Sequence, residues 1–255
     1  MAPPAAAVDT PAVKLDLEGL KARLASETSG TPDLSNVDLS GLDLSGLDFK
    51  RANLTGSRFT DARMAGADLF ATDLTDAVLT GADLSRANLD GTVLRRAKLD
   101  RANLEGASLF ATILEAADLR GANLSGARII GYLRSANLSG AILQKANAGA
   151  DPGNQSMGVM RAAFVGANLS GADMTGANLF KADFSHAILT GAKLIGANLE
   201  NSELVQADLT KADVNGAKVA KADLDGADFT GATGVARMQG LDEARNKDKA
   251  IFDAK

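Results

Sequence analysis

The chain contains no cysteine, no tryptophan, one histidine and one tyrosine in 255 residues. Without cysteine there is no disulfide, no thiolate metal site and no cysteine nucleophile. Aromatic residues make up only 4%, too few for an ordinary core of this size, so a narrow interior lined by Ala and Leu is expected. Cations are not in excess either. Lys and Arg number 27 against 32 Asp and Glu, and the net charge of −5 argues against tight binding to a nucleic-acid backbone. No apolar run approaches the length of a membrane span. The opening "MAPPAAAVDTP" lacks the basic region and apolar core of a signal peptide. It reads as the tether of a mature exported or periplasmic protein behind an added initiator Met, in preference to a cytoplasmic start.

What the sequence does have is a period of five. In "GANLSGADMTGANLFKADF" (166–184) a large apolar residue returns at Leu169, Met174, Leu179 and Phe184. This marker runs without a break from Leu34 to Ile129 and again from Phe164 to Phe229. Two residues before it stands a small residue, usually Ala, and Asp or Asn often stands between the two. The unit is A-(D/N)-L-x-x. Its period suits neither a helix nor a long strand, and so persistent a repeat overrides local readings. Two apolar residues two apart share one side of a short extended piece, and the residue between them points outward. The remaining pair, often Ser-Gly or Thr-Gly, has turn chemistry. A chain that turns every five residues must coil on itself and pair its backbone between successive coils.

These tandem units resemble the pentapeptide repeat proteins, and the resemblance covers residues 33 to 230. It implies an all-β solenoid, a right-handed quadrilateral β-helix with four pentapeptides per coil. The recurrence of "LFAT" at 69–72 and 109–112, two such coils apart, agrees with that number. Even spacing from Leu34 to Phe229 then gives about ten coils and a rod of about 45–50 Å. It also requires the framework to continue through the irregular residues 132–161. One residue is lost near "YLRS" (132–135), and one gained in 149–161 is expected to cancel it as a local bulge. The expected organisation is a flexible tail at 1–10, an N-terminal capping helix at 11–30, the β-helix at 31–231 and a helical segment at 232–255. Thr10-Pro11 is a helix-start signal, with Val13, Leu17, Leu20 and Leu24 on one face. In the C-terminal segment Leu241, Ala244, Ile251 and Phe252 are the apolar positions. The resemblance implies that such a segment caps the last coil and in some members forms a dimer.

Catalytic signals are absent. His186 has Ser185 and Asp183 nearby, but both His186 and Ser185 fall in a corner with no oxyanion loop. No second histidine, "HExxH" or phosphate-cradling glycine motif occurs. An Ala/Leu-filled lumen leaves no pocket, so neither enzyme activity nor a cofactor is expected. Asp183, Glu203 and Asp223 are spaced by 20 and should stack in one outward column, with Lys181 and Lys221 beside them. They are weak candidates for a cation, and the register favours a solvated face. Arg86, Arg95, Arg96, Lys98 and Arg101 lie among Asp83, Asp90, Asp100 and Glu105 and are locally balanced.

Outward apolar residues are more informative. Phe70, Phe110 and Ile130 share one column, and Val93 and Ile113 replace the outward Asp/Asn one coil apart. Two adjacent apolar columns on a polar rod form a candidate interaction surface. The stretch 149–161, with Gly149, Pro152, Gly153 and Gly158, is a second candidate. The expected role is a non-enzymatic rod that contacts another protein, with a possible homodimer through the C-terminal segment. The resemblance also permits a DNA mimic acting on a type II topoisomerase, which would need an evenly negative rod. Residues 31–130 carry 14 acidic and 11 basic residues and 162–231 carry 9 and 5, neither of them DNA-like. Cation binding on the acidic ladder is a third, weaker reading.

Overall fold

A computed structural model describes residues 12–26, 30–49, 51–150 and 160–253. The expected tail at 1–10 and residues 151–159 of the irregular stretch lie outside them.

Each five-residue unit is built as its chemistry dictates. The marker and the preceding small residue are buried, and the residue between them faces out. When that residue is Asp or Asn, its side-chain oxygen accepts the N–H of the first corner residue. Ser35 donates in this way to Asp33 (3.0 Å), Thr75 to Asp73 (2.9 Å) and Ser170 to Asn168 (3.0 Å). The preference for Asp/Asn is thus a preference for a side chain that starts the turn. The corner closes with a bond from the next small residue to the marker carbonyl, as from Ala52 to Phe49 (2.9 Å). Its second residue has positive φ, 62° at Arg51 and 68° at Gly81, the pattern of a type II turn. At Gly81 the requirement for glycine is double, because an added Cβ would also run into the Asp61 carboxylate.

Parallel bridges join residues twenty apart: Asp33 to Asn53, Asn53 to Asp73, Asp73 to Val93. Three further columns begin at Asp38, Asp43 and Asp48, so four walls follow one another around each coil. Inside, markers stack on markers into one continuous apolar core. Phe164 and Phe184 lie face to face with centroids 4.8 Å apart. Thr72, Thr92 and Thr112 occupy the small-residue position of one corner, fully buried, and each hydroxyl donates to a marker carbonyl at 2.7–2.8 Å.

The irregular stretch differs from expectation. Strand β3 (Ser108–Ile113) pairs in parallel with β4 (Arg128–Tyr132), and Ile113 meets Tyr132, nineteen residues on. One residue is therefore lost before Tyr132. It is not cancelled by a single gain, because the rung after Asn147 is Ala163, sixteen residues on where five is the rule. The stretch holds two rungs fewer than even spacing implies, and the surplus falls in sequence between the Asn147 and Ala163 rungs. Ile129 to Phe164 is a multiple of five under either arrangement, so counting alone favoured the wrong one.

Both ends also depart from simple helices. Val13 and Lys14 form a two-residue strand, here β1, paired in parallel with β2 (Val37–Asp38) on the first coil. This gives partners to backbone groups that would otherwise face water at the edge. Helix α1 (Leu17–Ser26) begins only after Asp16, whose carboxylate accepts the Gly19 N–H (2.8 Å), and it buries Leu20 and Leu24 on the core. Val13 is thus off the helix and exposed. At the other end the chain forms three 3-10 turns, Val235–Arg237, Leu241–Glu243 and Lys247–Lys249, instead of a continuous helix. Gln239 and Arg245, between these turns, and Ile251, after the last, bridge to Lys218, Asp223 and Asp228. The coiling continues here with six-residue units, each opened by a left-handed residue: Gly234, Gly240 or Asn246.

Candidate interaction wall

The wall that begins at Asp33 changes character along its length. Its outward column reads Asp33, Asn53, Asp73, then Val93, Ile113, Tyr132 and Ala163, then Asp183, Glu203 and Asp223. An apolar interval is set between two acidic ones. Val93 and Ile113 are half-buried, whereas Tyr132 is 51% exposed. Along the adjoining corner Phe70 is 43% exposed, with the Arg51 guanidinium 5.3 Å from its ring. Phe110 is half-buried beneath Arg128, whose guanidinium lies 4.2 Å from the ring centroid. Asp90, between the two rings, accepts the Ser108 hydroxyl (2.5 Å) and the Phe110 N–H (2.9 Å).

Two residues change places relative to the sequence reading. Ile130, expected outward, is buried. With one residue missing, the chain runs extended through this corner, and Ile130 pairs beside Phe110 and folds against the wall. The same missing residue moves Tyr132 from a corner onto an outward rung. Sequence reasoning missed Tyr132, although the nine-residue step from Ile129 to Leu138 held the signal. Exposed apolar residues on other walls, Ile142, Ile188 and Ile195, stand singly.

The backbone of this wall is already paired. Val93 donates to Thr72, Leu94 to Ile113 and Leu114 to Tyr132, at 2.7–3.0 Å. No free edge remains there for strand addition, so anything that docks on it must do so through side chains.

The remaining candidates are accounted for by their neighbours. His186 is exposed in a left-handed corner, and Ser185 donates its backbone N–H to Asp183. Asp183 and Glu203 do stack, but they are held by Arg161, which donates to both at 2.8–3.2 Å. Hydrogen bonds to Glu203 chiefly raise the pKa of that guanidinium. Asp223 accepts from Asn246 (2.8 Å) and lies 3.6 Å from Arg245. The compensating charge is therefore supplied by these arginines, while Lys181 lies over the Phe180 ring. Among the described residues no three His, Asp or Glu side chains are grouped to hold a metal. Arg95, Arg96 and Arg101 pair with Glu115, Asp76 and Asp100.

At the C-terminal end Phe252 stacks on Phe229, with centroids 5.1 Å apart. Beside the pair opens an apolar recess of about 420 Å³, lined by Phe229, Val235, Leu241 and Phe252 with Lys247 and Asp253. Ile251, next to it, is 51% exposed.

A chain that turns every five residues and bridges to itself every twenty is a tandem-repeat β-solenoid, and its exposed features are walls and ends. The profile of the pentapeptide repeats matches it in eight copies, over residues 33–69, 72–109, 97–131, 160–194 and 192–231. The chain belongs to the pentapeptide repeat family. It is similar to HetL, a pentapeptide repeat protein involved in heterocyst differentiation regulation in the cyanobacterium Nostoc. Identity is 30%, covering 93% of this chain and 94% of that one, with a TM-score of 0.44. Full-length QnrB1, a plasmid-mediated fluoroquinolone resistance protein, is 20% identical over 85% of this chain and 93% of its own, with a TM-score of 0.55. A pentapeptide repeat protein from the Arabidopsis thaliana thylakoid lumen is 28% identical over 49% and 70%, with a TM-score of 0.30. No curated protein matches the chain. Among the described residues no helix is long and apolar enough to cross a membrane.

Proposed function

We propose that this protein is a non-enzymatic rod, a right-handed coil of about ten turns closed at its N-terminal end by α1, that binds another protein through one wall. One observation carries the reading: Val93, Ile113 and Tyr132 replace the outward acids in successive coils, with Phe110 alongside. Elsewhere that column carries groups that prefer water, so an apolar interval costs hydration unless something covers it. The stiff wall favours nearly rigid-body docking. Chemical cross-linking to the partner in cell extract, comparing the native protein with Phe110→Ser, Tyr132→Ser, tests this. Loss of the cross-linked species at unchanged melting temperature is expected. Retained cross-linking with a lowered melting temperature would show that both rings serve wall packing alone.

The topoisomerase alternative has the weaker support. DNA mimicry asks for unbroken negative charge along a wall, and this wall is interrupted where the candidate surface lies. A gyrase supercoiling assay tests it directly. For the end of the rod, the apolar recess beside the stacked Phe229 and Phe252, with Ile251 exposed next to it, supports a C-terminal homodimer. Light scattering of the native protein against Ile251→Asp distinguishes a dimer from a monomer whose last coil is merely closed by Phe252.

A further inference from the structure

We propose that the segment this wall takes from its partner is acidic, carrying carboxylates beside one or two large apolar side chains; this rests on the wall being the interaction surface. The charge of the chain is unevenly placed. Residues 91–150 hold eight basic and four acidic residues, a local excess of +4 in a chain whose net charge is −5. Three of the four acids, Asp100, Glu115 and Asp118, are paired with Arg101, Arg95 and Arg120. Arg128 lies on the corner side of the apolar interval, over Phe110. Arg134 is exposed two residues from Tyr132, on the other side of the interval. The apolar anchors thus sit between cations, in the same coils that carry the positive excess.

The acidic intervals on the same wall complete the argument. Asp33 and Asp73 lie toward one end and Asp183, Glu203 and Asp223 toward the other. An acidic segment is attracted to the middle and repelled from both sides, which fixes where along the rod it docks. With rungs about 4.8 Å apart, Val93 to Tyr132 spans about 10 Å, room for one or two anchoring side chains. Because the wall offers no backbone edge, binding depends on these anchors and on screened charge, and it must weaken with salt. Nucleic acid is acidic too, but among the described residues this surface exposes two aromatic rings for base stacking, Tyr132 and, on the adjoining corner three coils away, Phe70.

The test uses the full chain and a labelled ten-residue peptide in which Glu alternates with Leu and Phe. Matched peptides carry Gln or Lys in place of Glu, and a 20-base-pair DNA duplex is the nucleic-acid probe. The Glu peptide should bind at least about tenfold more tightly than the Gln peptide at low salt and lose most of that advantage at 0.5 M salt. Arg134→Gln and Tyr132→Ser should each weaken it several-fold without moving the melting temperature. Equal binding of the Gln peptide, still abolished by Tyr132→Ser, would overturn the charge assignment and leave the interaction wall standing. Tighter binding of DNA than of the Glu peptide, or binding indifferent to both substitutions, would also overturn it.

Discussion

Replacing Leu104 with alanine tests the register on which every placement above depends. Leu104 is fully buried in the lumen, with Leu84 and Leu124 at the same corner in the coils on either side. The neighbouring coils are bonded to it through the backbone, Leu84 N–H to the Asn103 carbonyl and Leu104 N–H to the Asn123 carbonyl, at 2.6–2.7 Å. They cannot close on the space left behind, so the cost should fall at about 2–5 kcal/mol. For a chain of this size that is a drop in melting temperature of roughly 5–15 °C. Asn103, one residue earlier, faces outward. It donates to Asp83 (3.0 Å) and accepts from Asn123 (3.2 Å) and the Glu105 N–H (3.2 Å). These bonds are partly solvated, so Asn103→Ala should cost only about 1 kcal/mol. Leu104→Asp, which buries a carboxylate in the lumen, should unfold the adjacent coils. Thermal melts followed by circular dichroism, with urea titrations of the same variants, provide the comparison. A native-like melt for Leu104→Ala or Leu104→Asp, or a larger loss for Asn103→Ala, would refute the register.

Gly81→Ala should destabilise more than Gly66→Ala. Both have positive φ, worth about 1 kcal/mol, but only at Gly81 does the new Cβ meet a neighbour, the Asp61 carboxylate. Acid should loosen the rod in a defined window. Asp43 is held down to about 2 by the Ser45 hydroxyl, the Arg63 guanidinium and the Ser45 N–H, and Asp38 is lowered by the Ser40 hydroxyl and N–H. A carboxylate depressed in the fold stabilises it above the ordinary value of 3.8 and loses that contribution as pH falls toward the folded value. The melting temperature should therefore fall between about pH 4 and pH 2, and Ser45→Ala should move the start of Asp43 protonation, read by NMR, upward. Phe252→Ala removes the ring stacked on Phe229 and should lower the melting temperature by several degrees. An unchanged melt would show that the last coil is closed without it.

How much of this was legible beforehand follows from where each decision is made. Burial, outward facing and corner are settled within five residues, because a marker two places after a small residue forces the one between them outward. The solenoid, the inward Leu89 and Leu104 and the outward Val93 and Ile113 could therefore be read directly. The terminal coil also left a trace: Ala232, Met238, Ala244 and Ala250 recur every six residues, with Gly234, Gly240 and Asn246 two places after the first three. A search for helical spacing passes over it. Other features needed the walls to be assembled. Whether one residue or eleven entered after Asn147 depends on which rung the returning chain pairs with, and both arrangements satisfy the same count. That pairing brings Arg161 to Asp183 and to Glu203, 42 residues away in sequence. The separate loss of one residue before Tyr132 puts Tyr132 on the surface and Ile130 inside. Local chemistry determines what a rung is, whereas hydrogen bonding between coils, which is blind to side chains, decides which rungs lie side by side.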